Sequence, residues 1–257
     1  MKLIVLLLSI SISIVELSAQ ETLNYNLKIK YDINYNTELP NTKKGTLYVD
    51  NSNSKSIFIY GKKTTNSQEQ SDEDDLTFKL ISSGVVKFNY LDLLKDTLYS
   101  KEKASNKVFV IEEKKPLLNW TLKNEEKIID GIKVKKALVN FRGRNYVAWY
   151  NELYPIKFGP WKFSGLPGLI FEIYDESMRY HWIVTSISKQ EEKSLIIDSL
   201  YNNLEKIDIK KYVDYRYNSR LSIINESRLP RGTVIKKNKI KRNGMEIEFE
   251  WEKETKE

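Results

Sequence analysis

Strict alternation of apolar and polar side chains constrains this chain more than any other feature. In ETLNYNLKIKYDINYN, Leu23, Tyr25, Leu27, Ile29, Tyr31, Ile33 and Tyr35 are apolar or aromatic, and every intervening position is polar. Successive side chains of a β-strand point to opposite faces, so the pattern predicts a long strand with one dry and one wet side. A helix would scatter the same residues around its circumference. Near the far end, GMEIEFEWEKE repeats the alternation, with Met245, Ile247, Phe249 and Trp251 between glutamates. That segment also predicts a half-buried antiparallel strand.

Between the two lie short runs of β-formers, among them TLYV, SIFIY, LTFKL, VVKFNYL, KVFVIEE, YVAWYNE, LIFEIY and RYHWIVTSISK. Their connections hold turn residues such as Arg142-Gly143-Arg144-Asn145 and Asp175-Glu176-Ser177, which favours a meander over a βαβ alternation. In IKVKKALVNF the apolar phase switches between Val134 and Ala137, as a β-bulge near Lys135 or Lys136 would make it. One helix is predicted, opening at the capping residue Asp208 and carrying Ile209, Tyr212, Val213, Leu221 and Ile224 at helical spacing. The polar stretch 61–75 reads as a long hairpin loop. The expected fold is mainly β, a β-rich α+β protein with a strongly curved antiparallel sheet or half-barrel and a helix in its C-terminal third.

Residues 1–19 have the layout of a secretory signal peptide: Lys2, an apolar run from Leu3 to Val15, then Ser18 and Ala19. The run is short for a bilayer span, and no later stretch predicts a transmembrane helix. The expectation is export to the periplasm or cell envelope of one domain, 20–257. With no cysteine, neither a disulfide nor a lipid-bearing N-terminal cysteine is available, and the core must hold the fold. The net charge of +7 arises entirely beyond residue 130, much of it in the segment 228–242. Export argues against nucleic acid as its partner; an anionic membrane surface or lipopolysaccharide fits the charge. A solvated connection before the last strand is the plainer reading.

The stretch GPWKFSGLPGLIFEIYDE places glycines and prolines among aromatics directly before a strand. A phosphate cradle needs closely spaced glycines opening a helix, and LIFEIY has no helical period. Leu166-Pro167-Gly168-Leu169 instead fits a type II turn, with glycine at the position of positive φ. The segment reads as a shaped corner. Phe158, Trp161, Phe163, Trp149 and Trp182 could line an apolar groove on a concave sheet or simply fill a core. Arg142 and Arg144, with Lys157 and Lys162 nearby, suit an acidic ligand or the charged end of a peptide, or else brace Glu152, Glu172 or Asp175.

The run FRGRNYVAWYNELYPIKFGPWKFSGLPGLIFEIYDE resembles the GLPGLI family of exported proteins of Gram-negative bacteria, named for the hexapeptide at 165–170. The upstream LNWTLKNEEKIIDGIKVKKA and the terminal MEIEFEWE are similar to it as well. The resemblance implies an envelope protein on a curved antiparallel sheet and no established activity. Where many members carry cysteine this chain has Val134, so a redox role is not open to it.

Signals for catalysis are weak. His181 is the sole histidine, and no nucleophile elbow surrounds Ser164 or any other serine. Glu172 and Asp175 read as strand charges, and the acidic run Glu69, Asp72, Glu73, Asp74, Asp75 lacks the spacing of a calcium loop. The expectation is a non-enzymatic protein with no catalytic residue, metal or cofactor. Its ligand-binding residues are expected to be Trp149, Phe158, Trp161, Phe163, Arg142 and Arg144, taking an apolar or peptide-like ligand or an envelope partner. The alternative is a structural accessory to an outer-membrane complex, acting through edge strands and the basic segment; a hydrolase ranks below both.

Overall fold

The computed structural model describes residues 21–50, 52–61, 87–201, 203–217 and 241–253. The expected leader 1–19, the acidic run 69–75, the strand run LTFKL, helix positions Leu221 and Ile224, and residues 228–240 of the basic segment lie outside the described residues. The strands are β1 (Thr22–Tyr35), β2 (Asn41–Asp50), β3 (Lys55–Tyr60), β4 (Phe88–Asp92), β5 (Thr97–Ala104) and β6 (Lys107–Lys114). They continue with β7 (Thr121–Ile129), β8 (Ile132–Phe141), β9 (Arg144–Asn151), β10 (Leu169–Asp175), β11 (Tyr180–Ile196) and β12 (Glu205–Asp208). Helix α1 (Ile209–Tyr217) follows β12, with the Asp208 carboxylate accepting the Lys210 amide at 2.7 Å as the expected cap.

All twelve described strands form one open sheet, in the order β12-β6-β5-β4-β3-β2-β1-β11-β10-β9-β8-β7. Pairing is antiparallel throughout except for β12 beside β6. The sheet is strongly curved. β6 and β8 are nine strand spacings apart in that order, roughly 40 Å if the sheet were flat. Yet Glu113 at the end of β6 touches Arg142 just after β8, so the sheet must curl to bring its two halves together.

The alternation in β1 hides a change of face. Register shifts between Tyr25 and Leu27 in the pairing with both neighbours, leaving Asn26 as an extra residue. One extra residue inverts the side to which all later side chains point. Leu23 and Tyr25 therefore pack with Ile57, Tyr90, Leu195 and Tyr201 on one face, while Ile29, Tyr31 and Ile33 pack with Phe58, Tyr146 and Trp182 on the other. The single dry side expected from the sequence is divided between two cores. A third cluster joins Phe109 and Ile111 of β6 to Tyr212 and Val213 of α1, with Phe249 from the C-terminal segment.

Two local expectations are corrected. The phase change in β8 appears as a register shift against β7, between Leu122 and Glu126, whereas the register of β8 with β9 is continuous. The shift thus lies opposite Lys136, the expected place, but the extra residues belong to β7. Gly168 does not take the positive φ of a type II turn; the glycine of the corner that does is Gly165, at +90°. Gly168 is needed for close approach instead, since a Cβ there would lie 2.1 Å from the Asn151 carbonyl oxygen. Because the obstacle is backbone, Gly168→Ala is expected to cost about 3 kcal/mol, the upper end for overpacking, read as a lower urea midpoint.

Candidate functional site

Three segments meet at the rim of the curled sheet. The first is the β8–β9 hairpin, whose two-residue turn Arg142-Gly143 has φ of +46° and +82°, the type I′ geometry that matches strand twist. The second is a small hairpin, residues 157–165, closed by the Phe158–Ser164 bridge and by hydrogen bonds from Gly159 N to Phe163 O (2.8 Å) and Gly165 N to Lys157 O (2.8 Å). The third is the C-terminal segment 241–253. It is irregular, bent at Gly244, Met245 and Glu248, up to a helical turn at Glu250–Lys253, and not the strand that its alternation predicts.

These segments and β6 assemble a ring of four charges. Arg142 pairs with both Glu113 and Glu246, and Lys162 pairs with Glu113 at 2.6 Å and Glu246 at 2.8 Å. Two cations and two anions alternate, so the ring is neutral. Arg142, Lys162 and Glu113 are buried and Glu246 is half-buried; Glu250 adds an outer contact to Arg142 at 3.1 Å. Burial disfavours a charged guanidinium, but Glu246 and Glu113 outweigh it and push the Arg142 pKa up, so it stays charged. Neutrality is what makes this burial tolerable.

Arg144 reads the same segment through its backbone. Its Nε donates to Gly244 O at 2.8 Å and its NH2 to Asn243 O at 3.1 Å, while NH1 reaches Asp175 at 3.1 Å. Tyr180 donates its hydroxyl to Asn243 O (3.0 Å) and Tyr146 to Met245 O (3.2 Å). Ile247 N and Glu248 N both donate to Arg142 O, at 2.9 and 3.2 Å. The absence of a side chain on Gly143 permits this crossing, because a Cβ would sit 2.6 Å from Ile247 Cγ1.

Burial pushes the Glu246 carboxyl up, but the charges of Lys162 and Arg142 and their hydrogen bonds prevail and hold it at about 2, below its ordinary 4.5. A carboxyl whose pKa falls on folding contributes stability that is complete above pH 4.5 and drains away as pH falls toward 2. The contribution is up to about 3 kcal/mol. The stability difference between wild type and Glu246→Gln is expected to shrink as urea unfolding is repeated down that pH window. A constant difference would remove the ring from the acid response.

The expected site residues separate into three groups. Phe158, Trp161 and Phe163 are core: Trp161 stacks on Trp182 with centroids 6.0 Å apart and planes 4° apart, and Phe163 meets Tyr146 edge-on at 4.8 Å. The aromatic walls of the expected groove are thus filled by one another. Trp149 is buried in the same apolar cluster, but from the other side of β9. Its neighbours Tyr146, Ala148 and Tyr150 take the core side of β9, so Trp149 points the other way, beneath the Lys127 ammonium at 4.5 Å from its ring. Arg142 and Arg144 do grip a peptide-like acidic segment, which is the chain's own. Of the acids they were expected to brace, Asp175 is held by Arg144, whereas Glu152 pairs with Lys135 and Glu172 with Lys127.

A depression of about 490 Å³ opens between β5, β6 and β12, lined by charged residues including Lys95, Asp96, Glu112, Lys206 and Asp208 and reaching Glu113 of the ring. None of the expected aromatic residues forms its wall. His181 lies 2.9 Å from Glu172, not against Asp175. Among the described residues no group of three or more His, Cys, Asp or Glu is placed to hold a metal, and no helix is long and apolar enough to cross a membrane.

Sequence reasoning missed Glu113, Tyr146, Tyr180 and Glu246. Glu113 was findable: it continues the i, i+2 apolar face of Phe109 and Ile111, where a charge requires a buried partner. Tyr180 and Tyr146 carry no such mark.

The corner and its flanking strands carry a family match. A family model described as "Protein of unknown function (Porph_ging)" matches residues 99–172, from β5 into β10. No curated protein matches. Among solved structures, PNGF-II in its P21 crystal form is similar with a TM-score of 0.52 and 18% identity, covering 76% of this chain and 34% of that one. Its C2 form gives 0.52 and 17%, covering 76% and 33%. An uncharacterized conserved protein from Thermus thermophilus covers 70% of this chain and 90% of its own, with a TM-score of 0.37 and 9% identity. This chain spans about a third of PNGF-II, and at such identity the likeness is one of fold.

Proposed function

We propose that the chain is a GLPGLI-type exported protein of the bacterial envelope that binds a peptide-like, acidic partner at the rim, without catalysis. One observation carries this reading: Arg142, Arg144 and Lys162 converge on the C-terminal segment, gripping both its carbonyls and its carboxylate. The family resemblance and the leader-like residues 1–19 support the envelope setting. An apolar ligand is the weaker half of the expectation, since the aromatic side chains at the corner occupy the space it would need.

A second reading, an accessory to an outer-membrane complex, draws on the free edge of β7, where Leu122 and Ile128 are exposed. Against it, the edge carries Lys123, Glu125, Glu126 and Lys127 and a register shift, devices that blunt strand addition.

Photo-crosslinking in envelope preparations separates the two. Asn145 and Leu153 are exposed near opposite ends of β9, and Ile128 is exposed on β7. A photoreactive residue at 145 is expected to capture an acidic partner, and the same probe at 153 or 128 is not. Capture from 128 alone would favour the accessory, and equal capture from 145 and 153 would defeat the rim.

A further inference from the structure

The C-terminal segment lies on the rim as a bound peptide would, and we infer that it is a resident ligand, displaced by a partner segment of the same chemistry. This rests on the binding reading above and adds what the partner looks like: a bent, irregular stretch with a carboxylate at the Glu246 position and an aromatic ring three residues later.

The contacts divide into two kinds. Arg144, Tyr146, Tyr180 and the Arg142 carbonyl all bind backbone groups of residues 243–248, so these contacts read the path of the backbone and not the identity of its side chains. Selectivity comes from two side chains. Glu246 closes the charge ring, and Phe249, 2% exposed, enters the cluster formed by Phe109, Ile111, Tyr212 and Val213. Arg142 also stands over the Phe249 ring, at 4.9 Å.

Removal of the segment defines what must replace it. Arg142 and Lys162 would then face Glu113 alone, leaving one buried positive charge uncompensated. A vacated site with surplus cation selects a carboxylate. A neutral or basic segment would leave the charge buried and unpaired.

The covalent connection to the rest of the chain is long in sequence. Tyr217, the last residue of α1, and Arg242 are in contact, the guanidinium 4.7 Å from the ring. Between them lie 24 residues, 218–241, enough to reach at most about 80 Å.

Fluorescence anisotropy with a labelled NGMEIEFEWE peptide, residues 243–252, tests this on the full chain. Glu246→Gln and Phe249→Ala each weaken the resident segment through a different contact, so that misfolding of one leaves the other informative. Each is expected to bind the peptide about tenfold more tightly than wild type, by raising the open fraction. A peptide with glutamine at the Glu246 position is expected to lose about tenfold on both. Equal binding by wild type and variants, indifference to that glutamine, or no binding by the folded variants would overturn the inference. If a partner is nevertheless captured from position 145, only the identity of the resident ligand falls; if none is captured, the binding reading falls with it.

Discussion

Arg142→Ala is expected to lower stability by about 3–5 kcal/mol, the cost of breaking a buried ion pair by removing one partner. Glu113 and Glu246 would be left sharing Lys162 alone, with one negative charge uncompensated in a buried setting. The loss should appear in urea unfolding near neutral pH as a lower midpoint with an unchanged slope. Arg142→Lys is not expected to restore it, because one guanidinium serves Glu113, Glu246 and Glu250 through three separate nitrogens. Adding Glu246→Gln to Arg142→Ala restores neutrality and is expected to cost less than the two changes summed. A loss below about 1 kcal/mol, the range of exposed pairs, would show that the ring is solvated and contributes little.

Trp161→Ala carries the next largest expected effect, about 3–5 kcal/mol for truncating a fully packed aromatic. Its ring contacts Phe141, Tyr146, Phe163 and Trp182. If Trp161 were the wall of an open groove, the change would leave stability near wild type and reduce binding of a fluorescent apolar probe. Packed as it is, the variant is expected to melt earlier and to bind more probe, through the cavity created. Trp161 also has a φ of +56°, which L residues adopt at a cost. Trp161→Gly removes the same ring and relieves that strain, and is expected to be about 1 kcal/mol more stable than Trp161→Ala. Equal losses would place the strain elsewhere.

Much of the architecture was legible because strand signals are local. Period-two runs and the Arg142-Gly143 turn locate strands and a hairpin without knowledge of any distant residue. Asp208 as a helix cap was legible for the same reason. What failed was parity across an irregularity. Seven alternating positions from Leu23 to Tyr35 read as one face, but a single extra residue at Asn26 divides them between two cores. Trp149 shares a cluster with Trp161 and Phe163 but enters it from the other side of β9, as its alternation with Tyr146 and Ala148 requires.

The C-terminal segment failed for a different reason. GMEIEFEWEKE alternates as well as β1 does, yet its polar groups find Arg142, Arg144, Tyr146 and Tyr180 before any strand edge. Side-chain donors already arranged on a folded rim satisfy its carbonyls without a sheet partner. The arginines were singled out correctly as peptide-gripping residues, but nothing local indicates that the peptide is the chain's own.

The sequence by itself determined a β-rich chain, its hairpin turns, its helix cap and the basic side chains beside the glycine-proline corner. Each is set by preferences acting within a few residues. Only the tertiary structure decided that the corner's aromatics fill the interior and that Glu113, Arg142, Lys162 and Glu246 close a ring. Those residues lie as far as 133 positions apart. They meet because curling of the sheet, a sum of small twists over many strands, brings its distant parts within hydrogen-bonding reach.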